Sequence, residues 1–271
     1  MPKRRINDIE MYYEESGRGD PLIFIHGLGS SDLDWEAQLP EFSRAYRVLT
    51  VDLRGHGRSD APEGPYSIGL FAADTAALLE ELSMAPAHVV GLSMGSAVAW
   101  HLALDTPELV RTLVLTNMAA EVPVKTWATR WMFYSRVAIV RALGMRMMGR
   151  VLAPRLFPKP EQAGQRRQMV ERWTRNDKKA YLRSLYALKD WSVMDRLEEV
   201  QCPVLVLASD QDYSPLPHKE AYARRMPRAE LVVIRDAHHA LPIEKPKEFN
   251  AAVLRFLAEQ QRPTEASRIG K

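Results

Sequence analysis

Ser93 stands between two glycines in Gly91-Leu92-Ser93-Met94-Gly95, just after the β-branched pair Val89-Val90 and just before an Ala-rich stretch that suits a helix. Strand, G-x-S-x-G, helix is the pattern of a nucleophile elbow. The turn is so tight that the serine takes a strained backbone conformation and its hydroxyl stands clear of the sheet. Glycines two residues either side let strand and helix pass without a Cβ clash. A serine hydroxyl is a weak nucleophile until a base takes its proton, and the base needs a carboxylate to fix its tautomer. Both partner types follow. Asp210 and Asp212 close one apolar run in Ala208-Ser209-Asp210-Gln211-Asp212, and His238 and His239 close the next in Asp236-Ala237-His238-His239. Serine, then acid, then histidine is the order expected with this elbow, each at the carboxyl end of a strand. At this level either aspartate and either histidine would serve.

The elements that must position these residues are short. Pro21–Ile25 is a continuous apolar run, the mark of a strand buried on both faces, and Tyr46–Val51, Arg111–Thr116, Pro203–Ala208 and Glu230–Ile234 read as further core strands. Residues 9–15 read as an edge strand. Residues 67–83 read as an amphipathic helix with Ser67 as N-cap, the elbow helix runs to about Asp105, and a last helix spans about Pro246 to Gln260. This βαβαβ rhythm predicts an α/β fold with a doubly wound, mostly parallel sheet. It breaks over residues 121–190, where tryptophans, methionines and arginines recur at helical spacings. The expected organisation is a core of residues 1–120 and 191–271 with a helical cap, residues 121–190, inserted between two core strands. The last ten residues, Arg262 to Lys271, are polar and expected to fray.

Composition narrows the classes. At 46% hydrophobic and 26% charged the chain has ample core material and an ordinary polar surface. No apolar run is long enough to span a membrane, and the basic start is not followed by the apolar region of a signal peptide. Cys202 is the single cysteine, so no internal disulfide forms. A cytoplasmic location is expected. No Cys/His cluster has metal-ligand spacing and no dinucleotide or P-loop motif occurs, so neither metal nor cofactor is expected.

Taken together, these motifs resemble the α/β-hydrolase superfamily, in its cap-bearing serine hydrolase branch of esterases, lactonases and C–C bond hydrolases. The resemblance covers about Met11 to Gln260. It rests on the His26-Gly27 loop, the Asp52-Leu53-Arg54-Gly55-His56-Gly57-Arg58-Ser59 segment, the elbow, the acid loop and the C-terminal His-to-Glu segment. The family histidine precedes a glutamate by five residues, which selects His239, ahead of Glu244. The family acid ends an A-G-x-x-D segment leading to a proline, which selects Asp212. The resemblance therefore implies Ser93, Asp212 and His239 as the catalytic residues. It also implies an oxyanion hole made by the backbone N–H groups of Leu28 and Met94. His26, Asp52, Arg54 and Arg58 are assigned to loop scaffolding and ion pairs. Ser96 replaces a glycine common among relatives. Dehalogenases and epoxide hydrolases of the family carry aspartate where Ser93 stands, so this chain resembles neither.

The implied activity is hydrolysis of a small-molecule carboxylic ester, thioester or lactone through an acyl-enzyme. C–C cleavage of a dienoic keto acid, a perhydrolase-like side activity, or a ligand receptor on the same fold are the alternatives. Charge is strongly partitioned. Residues 121–190 hold 16 Lys and Arg against 5 Asp and Glu, a net of +11, while the remainder holds 21 against 29, a net of −8. Three uses suit the basic segment. It can be a lid whose apolar face, with Trp131 and Met132, shapes the pocket beneath solvated arginines. It can be an amphipathic surface for anionic lipid or an acidic carrier protein. It can also send a cation inward to a substrate carboxylate. Nothing resembles a nucleic-acid reading motif.

Overall fold

The computed structural model describes residues 2–261, so the expectation for Arg262 to Lys271 lies outside the described residues. Eight strands form one sheet: β1 (Lys3–Ile6), β2 (Ile9–Ser16), β3 (Asp20–Ile25), β4 (Tyr46–Val51), β5 (Ala87–Leu92), β6 (Val110–Thr116), β7 (Val204–Ser209) and β8 (Ala229–Ile234). Their spatial order is β1-β2-β4-β3-β5-β6-β7-β8. The pairs β1–β2 and β2–β4 are antiparallel, and every other pair is parallel. Residues 9–15 were expected at the edge. They lie one strand in, because Lys3–Ile6 turns back at Asn7 (φ 50°) and pairs outside them.

From β3 the chain winds to β4 on one side, then crosses back to β5 on the other. The winding direction thus reverses across β3, which leaves a crevice beyond the carboxyl ends of β3 and β5. The elbow and the His26-Gly27 loop both emerge there.

The continuous apolar run of β3 is explained by a core on each face. Alternate side chains of a strand point to opposite sides. Leu22 and Phe24 join Trp35, Phe42, Phe249 and Phe256 on one face, while Ile23 and Ile25 join Phe71, Leu78 and Trp100 on the other. Phe24 stacks on Trp35 at 4.6 Å and meets Phe42 edge-on at 5.1 Å. Truncating so enclosed a ring to alanine costs about 3–5 kcal/mol.

Three helices, Trp127–Leu156, Ala163–Thr174 and Lys178–Ala187, are inserted between β6 and β7. The first starts at a Thr126/Thr129 capping box and is broken at Gly144, whose φ is 76°. Its phase corrects one expectation. Phe133, Val137 and Val140 recur at i, i+4 and i+7 and are buried, which turns Trp127, Trp131 and Met132 outward at 80%, 66% and 61% exposure. Trp131 and Met132 therefore do not form the inward apolar face. No helix among the described residues is long and apolar enough to cross a membrane.

Several of the insertion's cations are also not free in solvent. Arg172 pairs with Glu36, Arg183 with Glu63 and Lys159 with Asp236. Arg172 also donates to the Leu33 carbonyl at 2.6 Å, Asn176 to Gly29 at 2.7 Å, and Arg183 to Pro62 at 3.1 Å. Gln162 donates to Glu244 at 2.8 Å. The basic insertion thus sits against acidic loops of the sheet's carboxyl edge. The partition of charge along the sequence becomes complementarity in space, each exposed pair contributing at most about 1 kcal/mol.

Candidate active site

Ser93 ends β5 and caps the helix Met94–Asp105 with φ 53° and ψ −119°, a conformation that non-glycine residues rarely adopt. Its N–H donates to the Thr116 carbonyl at 2.9 Å. The flanking glycines are sterically required. A Cβ on Gly91 would lie 2.5 Å from the Gly95 carbonyl, and one on Gly95 would lie 2.0 Å from the Ile25 carbonyl oxygen. Ser96 fills its place by hydrogen bonding, donating to Gly91 O at 2.8 Å and accepting from Thr116 N at 3.0 Å.

The His26-Gly27 loop passes beside the elbow, where a Cβ on Gly27 would stand 3.4 Å from the Ser93 Cβ. Its shape is set by His26. Nε2 accepts from Leu53 N at 3.0 Å, so Nδ1 carries the proton and donates to Gly27 O at 2.8 Å. Burial pulls this imidazole down to about 4, which keeps it neutral. Asp52 accepts from the N–H groups of Asp32 and Arg58, both at 2.8 Å, and Arg54 grips Asp74 through two bonds of 2.7 and 3.0 Å. These residues brace the loops, as expected. Leu28 follows Gly27 and is buried; Met94 is the first residue of its helix, where an N–H has no intrahelical acceptor.

The structure separates the paired candidates. His239 Nδ1 donates to Asp212 Oδ1 at 2.7 Å. His238 turns the other way, its main-chain N–H and its ring Nδ1 both bonded to Glu244, at 2.5 and 2.8 Å. Asp210 instead accepts from Ala237 N at 3.2 Å, bracing the start of the histidine loop. Burial alone would push Asp212 up. The charges and hydrogen bonds of His239 and Lys219 outweigh that and hold its carboxyl well below the ordinary 3.8.

Three residues here escape sequence reading. Asn117, with φ 49° at the end of β6, donates to Ser209 Oγ and to the carbonyls of His238 and His239 at 2.8, 3.1 and 3.0 Å, clasping the acid strand to the histidine loop. Lys219, with its side chain fully buried, reaches Asp212 Oδ2. The Tyr213 hydroxyl lies 2.6 Å from His239 Nε2, its ring stacked on the imidazole at 4.0 Å. Burial and the Asp212 charge raise this phenol above its usual range, so it stays protonated. Only Tyr213 could have been suspected, from its place beside Asp212.

Comparison with known proteins gives a consistent picture. Residues 22–252 match the model of the alpha/beta hydrolase family. The chain is 30% identical over 253 residues to 3-oxoadipate enol-lactonase 2 of Acinetobacter baylyi, covering 91% of this chain and 92% of that protein. Among solved structures it resembles an enol-lactonase from Burkholderia xenovorans, with a TM-score of 0.88, 26% identity, and coverage of 95% of this chain and 100% of the other. A thermophilic esterase from Thermogutta terrifontis, solved with malate bound, gives the same TM-score and identity over 97% of this chain and 100% of its own.

Proposed function

This chain belongs to the alpha/beta hydrolase family, and from that premise we propose that it is a serine hydrolase cleaving a small carboxylic ester or lactone. The observation that carries the reading is the Asp212–His239 bond of 2.7 Å, formed at the crevice where Ser93 stands on its strained turn. The enol-lactonase and esterase relatives support the substrate class.

In this mechanism Ser93 Oγ attacks the carbonyl carbon while His239 Nε2 takes its proton, and Asp212 holds the imidazole in the tautomer that can accept it. The N–H groups of Leu28 and Met94 bind the oxyanion, each donor being worth about 100- to 1,000-fold in rate. The proton on His239 then passes to the leaving alkoxide, which departs and leaves an acyl-Ser93 ester. A water gives its proton to His239 and attacks that ester, and collapse returns the proton to Ser93. Tyr213 must first leave Nε2, giving up that hydrogen bond and its stacking on the imidazole. The helices of residues 121–190 act as the cap, held over the crevice by Gln162, Arg172, Asn176 and Arg183.

A fluorophosphonate label followed by peptide mapping tests the reading. The adduct is expected on Ser93, with turnover of p-nitrophenyl esters and lactones lost by several orders of magnitude in Ser93→Ala. An adduct on another residue, or undiminished turnover in the variant, would overturn it.

A further inference from the structure

Lys219 lies in the helix Leu216–Ala223, seven residues after Asp212, and its side chain has no exposure. Lysine is among the residues least often fully buried, and then it is paired. Its partner is Asp212, whose Oδ2 accepts from Nζ at 2.5 Å, with a second bond of 3.2 Å to Asn117 Oδ1. The other oxygen of the same carboxylate, Oδ1, is the one bonded to His239. We propose that Lys219 is a positioning residue for the reaction, a buried ammonium that fixes the Asp212 carboxylate and offsets its charge as felt by His239.

The proposal rests on His239 being the general base. In a Ser-His-Asp arrangement the acid does two things: it orients the imidazole, and its negative charge stabilises the imidazolium that forms on attack. A cation on the far oxygen separates these roles. It strengthens orientation, because Asp212 is held from both sides, and it weakens the charge effect, because the pair Lys219–Asp212 is neutral overall. The imidazolium formed on attack then faces a neutral ion pair where it would otherwise face a lone carboxylate, so removing the ammonium strengthens the carboxylate's hold on the imidazole proton.

The other groups facing this chain do not supply such an offset. Ser214 donates its hydroxyl to Asp212 Oδ2, and the Tyr213 and Tyr222 phenols on the acid loop and its helix stay neutral, raised by burial and by Asp212. Among the described residues, the end of β6 brings the Asn117 amide to Lys219 and the histidine loop brings His239 to Asp212. From the insertion, Arg136 reaches as far as Tyr213 and Tyr181. Lys219 is the cation in direct contact with the carboxylate.

The test is Lys219→Met, similar in length and without charge. Isotope-edited NMR of the histidines should show His239 titrating higher by one pH unit or more, since a neighbouring charge moves a titration by about 1–3 units. The acid limb of kcat/KM for p-nitrophenyl acetate should move with it. A lower rate at every pH with an unmoved midpoint would reduce Lys219 to a structural residue and overturn the proposal. Lys219→Gln gives the same readout should the methionine variant not fold. In the unaltered protein, lysine-labelled NMR should find one slowly exchanging ammonium at neutral pH, and a neutral amine there would also overturn it. The NMR titration reads the imidazole without turnover. A shifted His239 in a protein that cleaves no ester would therefore sink the hydrolase reading and leave the Lys219–Asp212–His239 coupling standing.

Discussion

The hydroxyl of Tyr213 occupies His239 Nε2 at 2.6 Å, the nitrogen that takes the proton of Ser93 in the proposed mechanism. A hydrogen bond of this kind is worth about 0.5–1.5 kcal/mol, and it competes with the bond between nucleophile and base. Tyr213→Phe keeps the stacked ring and removes the competitor. Fluorophosphonate labelling of Ser93 and kcat/KM on a small ester should rise about two- to tenfold. A fall would mean that the hydroxyl assists the reaction instead of obstructing it.

The two histidines and the two aspartates face different partners, so their variants should differ sharply. His239→Ala and Asp212→Asn should lose most ester cleavage, the former by at least about 1,000-fold. His238→Ala and Asp210→Asn should retain measurable rates close to the parent, because they brace loops through Glu244 and Ala237. Side-by-side initial rates of the four variants check this, and the reverse ranking would move the base by one residue and the acid by two.

Acid should unfold the protein through its buried histidines. Burial lowers His26 to about 4, His56 to about 3 and His88 to about 4, from an ordinary 6.5. Each binds a proton more readily in the unfolded chain. The stability they contribute is whole above pH 6.5 and is lost as pH falls from there through the folded values. Each can take away up to about 1.4 kcal/mol per pH unit within that window. Tm should be flat in pH above 6.5 and fall steeply below it. His88→Asn, at the far end of β5 from the site, should make that fall shallower.

Of the insertion's cations, Arg136 is one placed to meet a substrate carboxylate. Its Nε donates to the Tyr181 hydroxyl at 2.5 Å, Tyr181 lies against Gly29 beside Leu28, and the guanidinium's field reaches Tyr213 over the base. A carboxylate on the substrate would find a cation there, and such a contact is worth about 1.5–3 kcal/mol. Arg136→Gln should cut kcat/KM on carboxylate-bearing esters by about tenfold or more and leave neutral esters nearly unchanged. Equal losses on both would assign Arg136 to holding Tyr181 alone. Trp131→Ala, at an outward position, should leave the preference among acyl lengths where it was.

The sheet was legible because strands buried on both faces must be apolar at every position, and Leu22 to Ile25 shows that without any periodicity to decode. Ser93 was legible because the tight turn that holds it needs glycines at neighbouring positions in sequence, Gly91 and Gly95. Asp212 and His239 needed the spacing shared with relatives, since Asp210 and His238 differ from them only in what they face. Lys219 was not legible at all. Its helix reads Leu-Pro-His-Lys-Glu-Ala-Tyr-Ala, a polar surface segment, and only a carboxylate seven residues earlier makes the lysine's burial tolerable. The outward turn of Trp131 could have been read. Phe133, Val137 and Val140 form the stripe that fixes the helix's phase, and a residue's hydrophobicity alone does not.

Glu244 is shared between the insertion and the histidine loop. One of its oxygens receives Gln162 from the insertion and the ring of His238, while the other receives the His238 main chain, one residue before the base. The proposed cap and the arm that carries His239 are thereby joined through a single carboxylate. A substrate too bulky for Gln162 to seat would meet a base whose arm has lost an anchor. Size would then be judged at the moment of proton transfer, in kcat, by an enzyme that binds the wrong molecule and declines to process it.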